Sequence, residues 1–358
     1  MKVITKILQD NISYPELINY LYGETPPENH DFLRYDYAPH IESAVKFGFG
    51  GKKSPIFSVI IATYNRRELL LKNLSSVTGQ NNISPAEFET VIVDNGSKDE
   101  TKEAIKKFAD QNGRANIVYI KLKRNYGADF ARNVGVLNSR GNLLAFTDDD
   151  CVVPADWLSE FKRELDVDPE IAGVGGFKVP RPLKNNLDIY HRFTMWKHFY
   201  RPHVRTKEFN RTQNRCGLTA NVCYRRNTFE KLGGFNLYFK RIGFQEFKTR
   251  AHKSGTKLLY EPKMVEHFAH FTFREHISKL FPQSLGRYLL HKLYPDVWPN
   301  PSFLYFTKRT INDIRDIFVS REKPPLFNKS PLDIIGFSFL SIVTNFCLWF
   351  GKYWITGK

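Results

Sequence analysis

The stretch "NLLAFTDDD", residues 142–150, decides the fold class. Leu143 to Thr147 read as a buried strand that runs directly into three aspartates, Asp148, Asp149 and Asp150. Adjacent carboxylates repel one another, so this strand end requires positive charge beside it. The carboxyl ends of strands in open α/β sheets are also where ligands bind. A strand carrying acid at that end therefore points to an α/β protein with a site on the sheet edge.

Upstream, the same pattern repeats. "IFSVIIAT" (56–63), "FETVIVD" (88–94) and "NIVYIKL" (116–122) are short apolar runs. Between them lie "RRELLLKNLSSVTG" (66–79), with Leu70, Leu74 and Val77 at helical spacing, then "KDETKEAIKKFADQNG" (98–113) and "GADFARNVGVLNSR" (127–140). Strands alternating with helices at this length imply βαβ units and a mainly parallel sheet with helices on both faces. Downstream the pattern loosens to a helix (154–166), a strand (171–179), a strand and short helix within 217–235, and mainly helix over 272–325.

Composition narrows the function. The chain has 358 residues, 42% of them hydrophobic, which supports a real core and excludes wholesale disorder. Net charge is +16, and residues 178–257 carry 19 Lys/Arg against 4 Asp/Glu. Charge this localised faces an anion such as phosphate, an acidic glycan or a lipid surface. Four cysteines without C-x-x-C spacing argue against structural zinc and fit a reducing cytoplasm. Lys6, Asp10 and Glu16 interrupt the N-terminal apolar residues, so no secretory leader is expected there. "GFGGKKSP" (48–55) lacks P-loop spacing and precedes a strand instead of following one.

Three strand ends carry suggestive groups: "TYN" (63–65), "DNGS" (94–97) and "TDDD" (147–150). Taken alone, "DNGS" is equally a turn leading to a helix cap at Asp99. Parallel strands would bring all three ends to one edge. Asp148 and Asp150, two residues apart, can turn oxygens toward one hard cation, Mg²⁺ or Mn²⁺, with substrate phosphates completing the shell.

Four segments together, "FSVIIATYNRRELL", "VIVDNGSKDET", "NYGADFARNVGV" and "LLAFTDDDCVVPADWL", resemble the family 2 glycosyltransferases in order and spacing. The resemblance covers about residues 56–268 and implies the Rossmann-like, nucleotide-sugar-binding GT-A fold and an inverting glycosyltransferase. On that basis residues 1–54 are an N-terminal extension, 55–150 the nucleotide-sugar half and 151–270 the acceptor and catalytic half. Residues 271–358 form a mostly helical C-terminal extension. Thr63, Tyr64 and Asn65 would line the nucleotide pocket, and Asp94 would accept the base N–H, which favours a UDP-sugar. Arg132 and Asn133 would lie near the diphosphate or organise that wall. Asp148 and Asp150 would be the D-x-D metal pair, with Asp149 against the donor sugar. His267 and His270 in "VEHFAH" fall near where family members carry a diphosphate-side histidine, His267 being the candidate metal ligand.

One departure stands out. Family members place Glu-Asp seven and six residues before the arginine that is Arg250 here, and those positions hold Gly243 and Phe244. The nearest acid is Glu246, which either serves as the base after a one-turn shift or matches a later acidic position. A base would take the acceptor hydroxyl proton, while the metal steadies the departing diphosphate. Loss of the base would instead leave a non-catalytic glycan- or lipid-binding scaffold. A sugar-nucleotide pyrophosphorylase would need a Gly-rich loop after the first strand, which "ATYNRRELL" lacks.

Residues 180–215 interleave Arg, Lys and His with Trp, Tyr and Phe, suiting an anionic or lipid-linked glycan acceptor. No nucleic-acid module appears. The uncharged stretch 334–351 reaches the length of a membrane span. Ser338, Ser341 and Asn345 nevertheless recur at helical spacing, and Trp349, Tyr353 and Trp354 suit an interface. An in-plane helix, core or oligomer packing, and a true span all fit this pattern. Peripheral association with the cytoplasmic membrane is the expectation.

Overall fold

The computed structural model describes residues 12–27, 29–48, 54–113, 116–180, 193, 208–209, 218–268, 273–319 and 331–354. The elements run α1 (Tyr14–Tyr22), β1 (Ile41–Phe47), β2 (Phe57–Thr63), α2 (Arg67–Thr78), β3 (Phe88–Asp94), α3 (Thr101–Gln111), β4 (Ile117–Leu122), α4 (Ala128–Leu137) and β5 (Leu143–Asp148). Next are β6 (Cys151–Val152), α5 (Trp157–Val167), β7 (Ile171–Pro180), β8 (Glu208–Phe209), β9 (Val222–Arg225), α6 (Arg226–Lys231), α7 (Gly243–Lys253) and β10 (Lys257–His267). Three helices close the chain: α8 (Phe273–Leu293), α9 (Phe303–Val319) and α10 (Pro331–Trp354).

One sheet runs in the order β1-β4-β3-β2-β5-β9-β7-β10-β6, with β8 beside β10. It is parallel across β4-β3-β2-β5, the part that alternation predicted. Strand β9 then runs antiparallel to both its neighbours, and β7 and β10 are parallel to each other. Apolar runs reveal a strand but not its direction, so sequence could not foresee that switch. Alternate residues of β2 enter opposite cores. Val59 and Ile61 join Leu70, Leu74, Ile105 and Trp157 on one face. Ile60 joins Phe130, Val134, Phe229 and Phe247 on the other. Covering both faces is what makes β3 buried along its whole length.

The N-terminal extension is woven into this body. Strand β1 pairs antiparallel with β4 and supplies the sheet edge. Helix α1 is started by a Ser13–Glu16 capping box. It buries Tyr14, Leu17 and Ile18 against Tyr238, Ile242 and Tyr288. Three stretches far apart in sequence therefore share one core.

Candidate active site

The sheet register puts the three strand ends together: Thr63 lies opposite Asp94, and Ala62 opposite Asp148. The aspartate triplet is met by three cations. Arg132 Nη2 donates to Asp148 Oδ1 at 2.8 Å, and Lys178 Nζ stands 3.6 Å from Asp148 Oδ2. Arg66 Nη1 reaches Asp149 Oδ1 at 3.0 Å and Asp150 Oδ2 at 2.7 Å. Thr63 Oγ1 donates to Asp149 Oδ2 at 2.8 Å. Burial pushes the Asp149 carboxyl up to about 6 despite Arg66. Burial acts on Asp150 in the same direction, but the His267 hydrogen bond and charge, with Lys178 and Arg66, hold it well below the usual carboxylate range.

His267 Nε2 lies 3.3 Å from Asp150 Oδ1, so the structure brings this predicted pair together. Asp148, Asp150 and Cys151 present possible ligand atoms within 4.8 Å of one another. Burial drives the Cys151 thiol well upward and keeps it protonated, and its Sγ sits 3.8 Å from Asp150 Oδ1 as a weak donor. Two carboxylates beside an imidazole are a donor set that Mn²⁺ accepts, and carboxylates alone suit Mg²⁺. The chemistry of these residues fits a divalent ion.

Other predicted residues take different places. Asp94 is buried, and both its oxygens are occupied: Ser97 N donates to Oδ1 at 2.7 Å and Tyr119 Oη to Oδ2 at 2.6 Å. It shapes its own loop before it can read a base. Asn65 adopts a left-handed φ of 51° and accepts from Lys98 N at 2.8 Å, while its own N–H donates to Ser97 Oγ. Asparagine tolerates that conformation better than most side chains. Tyr64 is left 42% exposed. A cleft of about 550 Å³ opens here, lined by Asn65, Arg66, Arg67, Lys98 and Asp99 among others. Asn133 is fully buried, bonding Tyr37 Oη and the backbone N–H and C=O of Phe235. It organises the wall from behind and does not face the site.

Glu246 does not have the surroundings of a base. It is 0% exposed; Arg250 Nε and Tyr294 Oη donate to its Oε1 at 3.1 and 2.9 Å, and Arg250 Nη2 donates to its Oε2 at 2.7 Å. Arg250 in turn bonds the carbonyls of Leu232 and Gly234. Glu246 thus fixes Arg250 under the Gly233–Gly234 turn, leaving no oxygen to face an acceptor.

Sequence reading missed Arg66 and Lys178. Arg66 directly follows "TYN", a usable signal. Lys178 offered none, because only the sheet order β5-β9-β7 brings it beside Asp148. The stretch 180–215 lies mostly outside the described residues, and His270 lies wholly outside them.

A mixed α/β sheet with acidic groups at parallel strand ends, ringed by cations, is the architecture of an α/β enzyme that binds an anionic ligand at its sheet edge. Residues 58–233 match the sequence profile of Glycosyl transferase family 2, and the chain belongs to that family. It is 29% identical over 237 residues to Glycosyltransferase AglE of Haloferax volcanii, covering 65% of this chain and 73% of that protein. It is 22% identical over 252 residues to the glucosyl-dolichyl phosphate glucuronosyltransferase of the same organism, covering 66% and 78%. Its fold resembles that of a mannosyltransferase from Pyrobaculum calidifontis in complex with GDP-Man and Mn²⁺. That match has a TM-score of 0.52 at 17% identity and covers 97% of this chain and 82% of that one.

Proposed function

We propose that the protein is a metal-dependent, inverting glycosyltransferase that moves a sugar from a nucleoside diphosphate, UDP first among the candidates, to a lipid-linked or cell-surface glycan. The observation that carries the reading is the Asp148–Asp150–His267 group held among Arg66, Arg132 and Lys178 at the sheet edge. Asp148 and Asp150, with His267, would hold Mn²⁺ or Mg²⁺. The ion would supply charge neutralisation for the leaving diphosphate. Arg66 and Lys178 would meet the phosphate oxygens that complete the ion's shell. Each Asp94 oxygen holds one internal hydrogen bond and keeps a second lone pair that would receive a pyrimidine N–H, and the base is the part that the experiment decides. A lipid-linked acceptor is supported by the dolichyl phosphate named for one relative. It is also supported by the outward apolar faces of α9 and α10, where Leu304, Ile311, Phe318, Ile335, Phe339 and Phe346 are exposed.

The test is a thermal-shift panel of UDP-, GDP- and dTDP-sugars with and without Mn²⁺. Wild-type protein is expected to gain Mn²⁺-dependent stability with one nucleotide class, since a ligand that binds only the folded state stabilises it. Asp150→Ala should lose that gain. An unchanged shift in the variant removes the metal assignment, and binding of no donor favours the scaffold.

A further inference from the structure

The catalytic half lacks an accessible carboxylate where the family's base begins, yet a carboxylate is there. A Cβ at Gly243 would lie 1.9 Å from Asp129 Oδ2 and 2.9 Å from its Cγ. Asp129 therefore occupies space that any side chain at 243 would need. The two positions are 114 residues apart in the chain, on α4 and at the first residue of α7. Glycine at 243 is what admits the carboxylate.

Asp129 is engaged on one side only. Arg132 Nη1 donates to its Oδ1 at 2.7 Å, and among the described residues Oδ2 accepts no hydrogen bond. The same guanidinium holds Asp148 Oδ1 through Nη2. One arginine thus separates Asp129 from the first aspartate of the candidate metal pair. The Asp129 side chain keeps 10% exposure, whereas that of Glu246 keeps none. Arg132 fixes the carboxylate's orientation, and its second oxygen, set against Gly243 at the start of α7, accepts no hydrogen bond among the described residues and so keeps its lone pairs for a proton, as a general base requires.

We infer that Asp129 is the catalytic base of this chain, a carboxylate supplied from α4 in place of one from α7. The inference rests on the glycosyltransferase reading above. In the step, the acceptor oxygen forms a bond to the anomeric carbon while its proton passes to Asp129 Oδ2. The bond from that carbon to the diphosphate breaks, and its electron pair leaves with the nucleoside diphosphate.

The experiment measures nucleoside diphosphate release by the full chain from UDP-glucose, UDP-N-acetylglucosamine and GDP-mannose with Mn²⁺, in water and with a cell-envelope extract as acceptor source. Donor affinity is measured in parallel by calorimetry. Asp129→Asn, nearly isosteric and still able to face Arg132, should release diphosphate about 10²–10⁴-fold more slowly, with donor affinity held within threefold. Asp129→Ala combined with Gly243→Glu, which returns a carboxylate to α7, should recover at least tenfold over Asp129→Ala alone. A role limited to holding Arg132 would move donor affinity and would not be rescued from 243. Wild-type release rates in Asp129→Asn, or no recovery in the double variant, overturn the assignment. Donor binding by wild type without any release also counts against it, because an open base beside a bound donor activates water. Failure of wild type to bind any donor overturns the glycosyltransferase reading itself, which separates the two failures.

Discussion

At the scale of single residues, the two carboxylates Glu246 and Asp129 differ in their surroundings. Glu246 is the acid nearest the expected place of the base, but it lies closed inside an ion pair with Arg250. Removing one partner of a buried pair strands the other charge in low dielectric. Glu246→Ala should therefore lower stability by about 3–5 kcal/mol, seen as a fall in the urea midpoint at unchanged m-value. A change below about 1 kcal/mol would deny the ion pair its structural role. This also marks the limit of what the sequence could reveal. "TDDD" announced its site because strand and acid are contiguous. Asp129 and Gly243 meet only through tertiary packing, and nothing local to "GADFAR" distinguishes a catalytic aspartate from one in the first turn of a helix. Asp94 shows the converse: its strand-end position was legible, but the Tyr119 and Ser97 hydrogen bonds that fix it were not.

At the scale of elements, strands β2 to β5 and the helices between them were readable because buried strands and amphipathic helices differ in period. Strand β1 escaped because "IESAVKF" half-exposes alternate residues on an edge, between Tyr- and Gly-rich flanks. Helix α1 carried a readable start, Ser13 with Glu16 three residues later, that the surrounding composition masked. Helix α10 resolves an alternative. Its polar stripe, whose direction the sequence left open, turns inward: Ser341 and Asn345 are buried, and Asn345 Nδ2 donates to Thr310 and Asp313 of α9. Phe339, Ile342 and Phe346 face out instead. Pro331–Phe350 is long and apolar enough to cross a bilayer, but its inward polar bonds tie it to α9 along one side. That geometry suits lying in the interface with the apolar stripe down. Burying a Phe or Ile side chain contributes about 1.5–3 kcal/mol, so Ile335→Glu with Phe346→Glu should weaken sedimentation with phosphatidylcholine–phosphatidylglycerol vesicles by more than tenfold. Equal vesicle binding by the double variant would assign this face to something other than lipid.

At the scale of the whole molecule, the excess of positive charge has a focus. Lys279 on α8, Arg241 before α7 and Arg66 after β2 come from three distant parts of the chain and act on one another. Burial pushes the Lys279 ammonium down, Arg241 and Arg66 push it further, and Glu275 and Asp150 oppose them, leaving it at about 8. Burial and the Arg66 charge likewise depress Arg241. Cations gathered against their own repulsion create a potential that an anion relieves. A bound diphosphate would restore the ordinary preference of Lys279 for its proton, so the complex holds more proton than the free protein above pH 8. By linkage, affinity for the diphosphate must then decline as pH rises through about 8, and stay level below it. Calorimetry of UDP with Mg²⁺ between pH 6.5 and 9.5 should show that decline, with proton uptake revealed by buffers of different ionisation heat. Lys279→Arg, charged across the whole range, should flatten the profile. An equally steep profile in that variant would move the titrating group elsewhere. Loss of all binding at every pH in Lys279→Arg would instead show that α8 contacts the ligand through the shape of the lysine and not through its charge.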